Sequence, residues 1–150
     1  MATLAQIEQF VAQRHIAVAG ISRNPRKFGN AVFKELKKQG YHLYPISKHL
    51  QEFEGVPCVP DVASLPVEVS AIIIVTKPEQ TAILLKEAEA KGIKQIWLQQ
   101  GAANREILDA IGKSEATVIS KQCILMFAHP DHFIHKTHII FKKLFGTYPN

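Results

Sequence analysis

The stretch His15-Ile-Ala-Val-Ala-Gly-Ile-Ser-Arg-Asn-Pro-Arg-Lys-Phe-Gly-Asn30 decides both the fold and the candidate site. Its apolar residues 16–19 are followed by a loop that begins at Gly20, and a helical pattern follows Gly29. A strand, a glycine-containing loop and a helix start suit a phosphate group, because unpaired N–H groups at a helix N-terminus point at an anion and the helix dipole favours it. The stretch therefore predicts a ligand that carries phosphate.

The composition is that of one ordinary globular domain. The 150 residues are 47% hydrophobic and 21% charged, and a chain of this length can bury a core. No apolar run approaches the roughly 20 residues needed to cross a membrane. The N-terminus lacks a basic segment followed by an apolar block, so no signal peptide is expected. Two cysteines are too few for a disulfide framework, and a cytoplasmic location is expected.

The net charge of +5 fits either a mildly basic surface or a polyanionic ligand. The basic residues do not form a dense run with interleaved aromatic residues. Nucleic acid is therefore not the expected partner.

Apolar segments alternate with amphipathic helical patterns along the chain. Strands are predicted at 16–19, 42–47, 71–75, 95–98 and 117–120. Helices are predicted at 3–14, 30–39, 77–91 and 105–111. Thr3, Thr76 and Asn104 are their predicted N-caps, and glycines end the second, third and fourth. Residues 48–66 are predicted as a loop and an extended segment with one helical turn. This order predicts an α/β fold, a three-layer Rossmann-like doubly wound parallel sheet of about five strands.

In such sheets, ligands bind outside the carboxyl ends of the strands, where the strand order reverses. The loops predicted at these ends are rich in small or polar residues. The candidate ligand contacts come from these loops and are Gly20, Ile21, Ser22, Arg23, Lys27, Phe28, Gly29, Asn30, Ser47, Lys48, Thr76, Lys77, Pro78, Gln99 and Gly101.

The first loop departs from two nucleotide-binding signatures. Ser22 occupies the second glycine position of the G-x-G-x-x-G fingerprint, which counts against NAD. The second strand ends in Ile46-Ser47-Lys48, where NAD sites use an acid to bind the ribose hydroxyls. The absence of a G-x-x-x-x-G-K-[ST] sequence disfavours a P-loop nucleotidase. An NAD(P)-binding redox sensor or small reductase stays the alternative function.

Four short segments resemble a known family. They are Val18-Ala-Gly-Ile-Ser22 with the following Asn24-Pro25 and Gly29, then Gly40-Tyr-His-Leu-Tyr-Pro45, Trp97-Leu-Gln-Gln-Gly101, and Cys123 followed by Ile-Leu-Met. Over residues 14–127 the chain is similar to small stand-alone CoA-binding proteins, whose domain is similar to the CoA-binding domain of succinyl-CoA synthetase α-type subunits. The resemblance implies binding of coenzyme A (CoA), with the phosphates at residues 20–29 and the adenosine near the second strand. The family commonly has Asn where this chain has Ser47.

The expected function is binding without catalysis. CoA carries a pyrophosphate and a ribose 3′-phosphate, and Arg23, Arg26, Lys27 and Lys48 could each contact one of them or stay solvated. No Ser-His-Asp order and no paired-carboxylate motif occurs in the sequence. In the succinyl-CoA synthetases the phosphorylated histidine lies in a separate domain, for which 150 residues leave no room. A carrier or regulator of CoA or acyl-CoA is expected, and a dimeric interaction module with a vestigial site is a third possibility.

A cysteine and a series of histidines each have two alternative roles. Cys123 follows the fifth strand, where it could form a mixed disulfide with CoA or pack as a small apolar residue. Four histidines spaced by three would point apart on a helix, so at most one pair could bind a metal. A C-terminal helical extension from about residue 130 would carry them on its polar face, and its apolar stripe could pack on a second subunit of a homodimer. These histidines are His129, His132, His135 and His138.

Overall fold

The computed structural model describes residues 2–128, and these residues form one five-stranded parallel sheet with helices on both faces. The predicted α/β class is confirmed. The predicted C-terminal helix and its four histidines lie outside the described residues. In chain order the elements are α1 (Leu4–Val11), β1 (His15–Ala19), α2 (Phe28–Lys38), β2 (His42–Ile46), β3 (Glu52–Phe53), β4 (Val56–Pro57), β5 (Ala71–Ile74), α3 (Pro78–Lys91), β6 (Gln95–Gln99), α4 (Arg105–Ile111), β7 (Thr117–Gln122) and a 3₁₀ turn (Ile124–Met126).

The sheet runs in the order β2-β1-β5-β6-β7, with every neighbouring pair parallel. Because successive side chains of a strand point to opposite faces, the fully buried central strands need cover on both sides. Helices α1 and α2 cover one face, where Phe10 packs on Trp97 with ring centroids 5.3 Å apart. Helices α3 and α4 cover the other face through Ala88 and Ile107. Among residues 2–128, no helix has the length and apolar character that crossing a bilayer requires.

Several helix boundaries differ from the sequence-based prediction. The predicted capping box of α1 forms, but the helix ends at Val11 instead of residue 14. Asn104 caps α4 as predicted. Thr76 does not cap α3, because Lys77 occupies that position, and the Thr76 hydroxyl instead lies 2.9 Å from the hydroxyl of Thr81. Helix α2 begins at Phe28, two residues earlier than predicted, so Gly29 lies inside the helix.

The segment predicted as a loop after β2 contains a small hairpin. Strands β3 and β4 pair antiparallel around a turn at Glu54 and Gly55, whose φ values are 51° and 77°. The chain then returns to the sheet edge, where the N–H of Val59 donates to the carbonyl of Pro45 at 2.9 Å and the N–H of Ser47 donates to the carbonyl of Val59 at 2.9 Å. The hairpin thus brings residues 59–61 to the carboxyl end of β2.

Candidate functional site

The strand order reverses between β1 and β5, and a groove opens there. From β1 the chain leads to α2 on one face, and from β5 it leads to α3 on the other face. The two helix N-termini therefore flank the crevice in which doubly wound sheets bind ligands. This α2–α3 groove has a volume of about 690 Å³ and is lined by Gly20, Ile21, Ser22, Lys27, Phe28, Gly29, Val75, Thr76, Lys77, Glu79, Gln80, Gln100, Gly101 and Ala102.

A second groove continues from the first toward the end of β2. The two grooves share residues from the β1 loop, the β5 loop and α3, namely Gly20, Ile21, Thr76 and Gln80. This β2 groove has a volume of about 310 Å³. Its remaining lining is Ala19, Ile46, Ser47, Lys48, His49, Pro60, Asp61, Ile83, Leu84 and Glu87. A ligand longer than a single phosphate group could thus extend from the helix N-termini to the end of β2.

Two glycines allow α2 to approach the sheet closely. Gly20 has φ +112°, and a Cβ there would lie 2.1 Å from the carbonyl oxygen of Val75. A Cβ on Gly29 would lie 2.2 Å from the carbonyl oxygen of Gly20. Both clashes are with backbone, which cannot rotate away as a side chain could. These glycines therefore set the distance between the start of α2 and the ends of β1 and β5, the close packing role of a fingerprint glycine.

The loop between β1 and α2 is braced from within by Asn30. The Oδ1 of Asn30 accepts a hydrogen bond from the N–H of Ser22 at 2.9 Å, and its Nδ2 donates to the carbonyls of Ser22 at 2.8 Å and Asn24 at 3.2 Å. The N–H groups of Asn24 and Arg26 are also taken, by the side chains of Ser22 and Asn24. The amides in the middle of the loop are therefore occupied within the protein, and they are not available to a ligand.

Free N–H groups remain at the start of α2. Lys27 is its N-cap and provides no side-chain cap, and no hydrogen bond within residues 2–128 uses the N–H groups of Phe28 and Gly29. Helix α3 offers less, because Pro78 has no N–H and the N–H groups of Gln80 and Thr81 donate to the carbonyl of Lys77. By contrast, side chains cap both α1 and α4. The two helices at the groove thus have lysine where capping oxygens are usual.

Most of the predicted site residues line one of the two grooves, and four do not. Arg23 is exposed on the loop, and Asn30 is buried beneath it. Pro78 faces a separate depression between α3 and α4. Gln99 is buried, and its Oε1 accepts from the N–H of Ile124 at 3.1 Å. The structure adds lining residues that sequence reasoning missed, above all Asp61 and Glu87.

The sequence model of a protein family, the CoA binding domain, matches residues 14–129. The chain belongs to this CoA-binding family. The α subunit of an ADP-forming acetate–CoA ligase II from Pyrococcus furiosus is 37% identical over an alignment of 129 residues, which covers 79% of this chain and 28% of that subunit. An uncharacterised protein of Bacillus subtilis is 26% identical over 121 residues, 80% of this chain and 90% of that protein. This chain therefore spans little more than a quarter of the ligase subunit.

A solved structure has the same fold. A conserved hypothetical protein from P. furiosus superimposes with a TM-score of 0.71 at 35% identity, covering 75% of this chain and 97% of that one. The Rossmann-like CoA-binding fold inferred from the sequence is thus confirmed, and CoA is the ligand class of the family.

The two cysteines of this CoA-binding domain lie outside both grooves. Cys58 follows the hairpin, where burial and then the nearby Glu52 carboxylate raise the pKa of its thiol, which disfavours the reactive thiolate. Cys123 is half-buried at the start of the 3₁₀ turn. Within residues 2–128, no three potential metal-ligating side chains come together.

Proposed function

We propose that the domain binds CoA or an acyl-CoA with the pyrophosphate at the N-terminus of α2, and that it acts as a carrier or regulator instead of a catalyst. The observation that carries the proposal is the pair of free N–H groups of Phe28 and Gly29 in the α2–α3 groove. The helix dipole and the lysines at 27 and 77 add positive potential, against one carboxylate from Glu79. A diphosphate matches this arrangement in charge and in hydrogen bonding.

The adenosine end of the ligand is assigned to the β2 groove. This groove is continuous with the α2–α3 groove and carries Lys48, a cation that suits the ribose 3′-phosphate of CoA. The non-catalytic role rests on the sequence, which has no Ser-His-Asp order and no paired-carboxylate motif.

NAD(P) is the second candidate, and one observation favours it. Asp61 lines the groove at the end of β2, where an acid binds the ribose hydroxyls in many NAD sites.

Thermal unfolding with CoA, acetyl-CoA, NAD and ADP distinguishes the candidates. A ligand at a hundred times its Kd should stabilise the domain by about 2.7 kcal/mol. Stabilisation by CoA is expected, stabilisation by NAD and not by CoA would favour the alternative, and no response would favour a vestigial site.

Lys27→Ala is expected to weaken binding of CoA, dephospho-CoA and ADP alike, by about tenfold, because a charge-assisted contact to the shared diphosphate is lost. The side chain of Lys27 makes no capping bond, so the melting temperature without ligand should not change. Calorimetric titration with the three ligands measures this. Lys86→Ala, on the opposite side of α3, is the matched control and should leave all three affinities unchanged. Equal affinities of Lys27→Ala and the wild type would refute the placement of the diphosphate.

Lys48→Ala is expected to weaken CoA by about three- to tenfold and to spare dephospho-CoA, which lacks the ribose 3′-phosphate. Lys48 is exposed and forms no ion pair within 4.0 Å among residues 2–128, so stability should be unaffected. The measurement is the ratio of the two dissociation constants. Equal losses for both ligands would show that Lys48 does not contact that phosphate.

A further inference from the structure

We propose that Asp61 is a specificity-determining residue of the β2 groove, which limits the preference of the groove for a ribose 3′-phosphate. The inference rests on the proposed function, because it concerns the adenosine end of the same ligand. It assigns to Asp61 a charge that opposes the phosphate, in contrast to Lys48, which attracts it.

The hairpin places Asp61 in the groove. Val59 pairs with the end of β2, because its N–H donates to Pro45 and its carbonyl accepts from Ser47. The next two residues then form part of the groove wall. Lys48 lies in the same wall, just beyond β2. Asp61 and Lys48 are thus brought to one groove by the return of the chain along the sheet edge, although the whole hairpin separates them in sequence.

The carboxylate of Asp61 is fixed in position and charge. Its Oδ1 accepts hydrogen bonds from the Ser64 hydroxyl at 2.7 Å and from the Ser64 N–H at 2.9 Å. These bonds, the hydroxyl bond first, lower the pKa of Asp61, with further lowering by the charges of Lys48 and Lys91. Both bonds use Oδ1, and no hydrogen bond within residues 2–128 uses Oδ2. Asp61 therefore presents a negative charge near the place where the ribose phosphate would lie.

The charges that line the β2 groove do not favour a further anion. The two carboxylates of Asp61 and Glu87 outnumber the one lysine, Lys48, and His49 completes the ionisable lining. Lys91 lies outside the lining and donates from Nζ to the carbonyl of Ala63 at 2.9 Å. The α2–α3 groove differs, since two lysines and a helix N-terminus outweigh one glutamate there. A unit charge several ångströms from a phosphate in a solvated groove alters affinity by about three- to tenfold.

The test is the ratio of the dissociation constants for dephospho-CoA and CoA, measured by calorimetry, because the two ligands differ only in the 3′-phosphate. Asp61→Asn keeps an oxygen to accept from Ser64 and removes the charge. It should raise the ratio about three- to tenfold through tighter CoA binding. Asp61→Ser removes the same charge with a shorter side chain and should raise the ratio similarly. Glu89→Gln makes the same charge change on the other side of α3 and should leave the ratio unchanged.

The outcomes separate this inference from the proposed function. If the wild type binds both ligands and neither Asp61 variant raises the ratio, the specificity role of Asp61 is refuted while CoA binding stands. If the wild type binds neither ligand, the proposed function fails and the inference fails with it. If Glu89→Gln raises the ratio as much as the Asp61 variants do, the effect comes from net charge and the role of Asp61 is refuted as well.

Discussion

Gly29→Ala should destabilise the domain by about 2 to 3 kcal/mol and should abolish CoA binding at ligand concentrations that saturate the wild type. The new Cβ would lie 2.2 Å from the carbonyl oxygen and 2.8 Å from the carbonyl carbon of Gly20. Alanine is the better helix former by about 1 kcal/mol, so propensity alone predicts the opposite sign. The clash prevails because the start of α2 must move away from β1, and that movement displaces the N–H groups proposed to bind the diphosphate.

Gly112→Ala is the matched control for this prediction. Gly112 has φ −62°, and a Cβ there would meet only the carbonyl oxygen of Asp109, at an ordinary 3.6 Å. Alanine at this position is expected to be neutral or to stabilise by up to about 1 kcal/mol. Urea denaturation gives both free energies of unfolding, and calorimetry gives the CoA affinities. If Gly29→Ala unfolds at the same urea concentration as Gly112→Ala, the close approach of α2 to the sheet is not needed for stability.

The same glycine shows what sequence patterns could and could not predict. The apolar runs predicted all five strands of the main sheet, since short runs of mostly apolar residues are typical of strands buried on both faces. The predicted start of α2 is two residues late, because the helical pattern was read only after Gly29 and glycine is a poor helix former. In the structure a tertiary contact between Gly29 and the backbone of Gly20 decides that boundary.

Only part of the lining of the β2 groove could be predicted from the sequence. Ser47 and Lys48 follow a recognisable strand, and the carboxyl ends of parallel strands meet at one edge. Asp61 gave no such signal, because strands β3 and β4 have only two residues each and show no period-2 pattern. Its place in the groove follows from the long-range pairing of Val59 with β2.

Of the three predicted N-caps, Thr3 and Asn104 were confirmed and Thr76 was wrong. Capping rules chose Thr76 for α3, yet lysine occupies the N-cap of both α2 and α3. Lysine offers no oxygen to the free N–H groups and adds a positive charge at the positive end of the helix dipole. Such a violation of local preference is expected where a bound anion supplies the missing acceptor. It occurs at the two helices of the groove and not at α1 or α4.

Asn30→Ala is the second change with a large expected effect, a loss of about 3 kcal/mol in the free energy of unfolding. The side chain of Asn30 is 3% exposed and makes three hydrogen bonds to the backbone of Ser22 and Asn24. Alanine leaves one N–H and two carbonyls without these partners in a partly buried loop, and each such group costs about 1 to 3 kcal/mol when it stays dry. Because water can reach part of this loop, we expect each of the three groups to cost an amount near the lower limit.

The loss should extend to ligand binding, although the amide of Asn30 is fully used within the protein. Without the brace, the loop from Ser22 to Lys27 samples other conformations, and the ligand must order it again, so CoA affinity should fall at least tenfold. Asn104→Ala is the control, since it removes one capping bond to the N–H of Ile107, costs about 1 kcal/mol and lies outside both grooves. Denaturation and calorimetry on the two variants decide the matter. Equal costs in stability, with CoA affinity retained in both, would mean that the loop keeps its shape without Asn30.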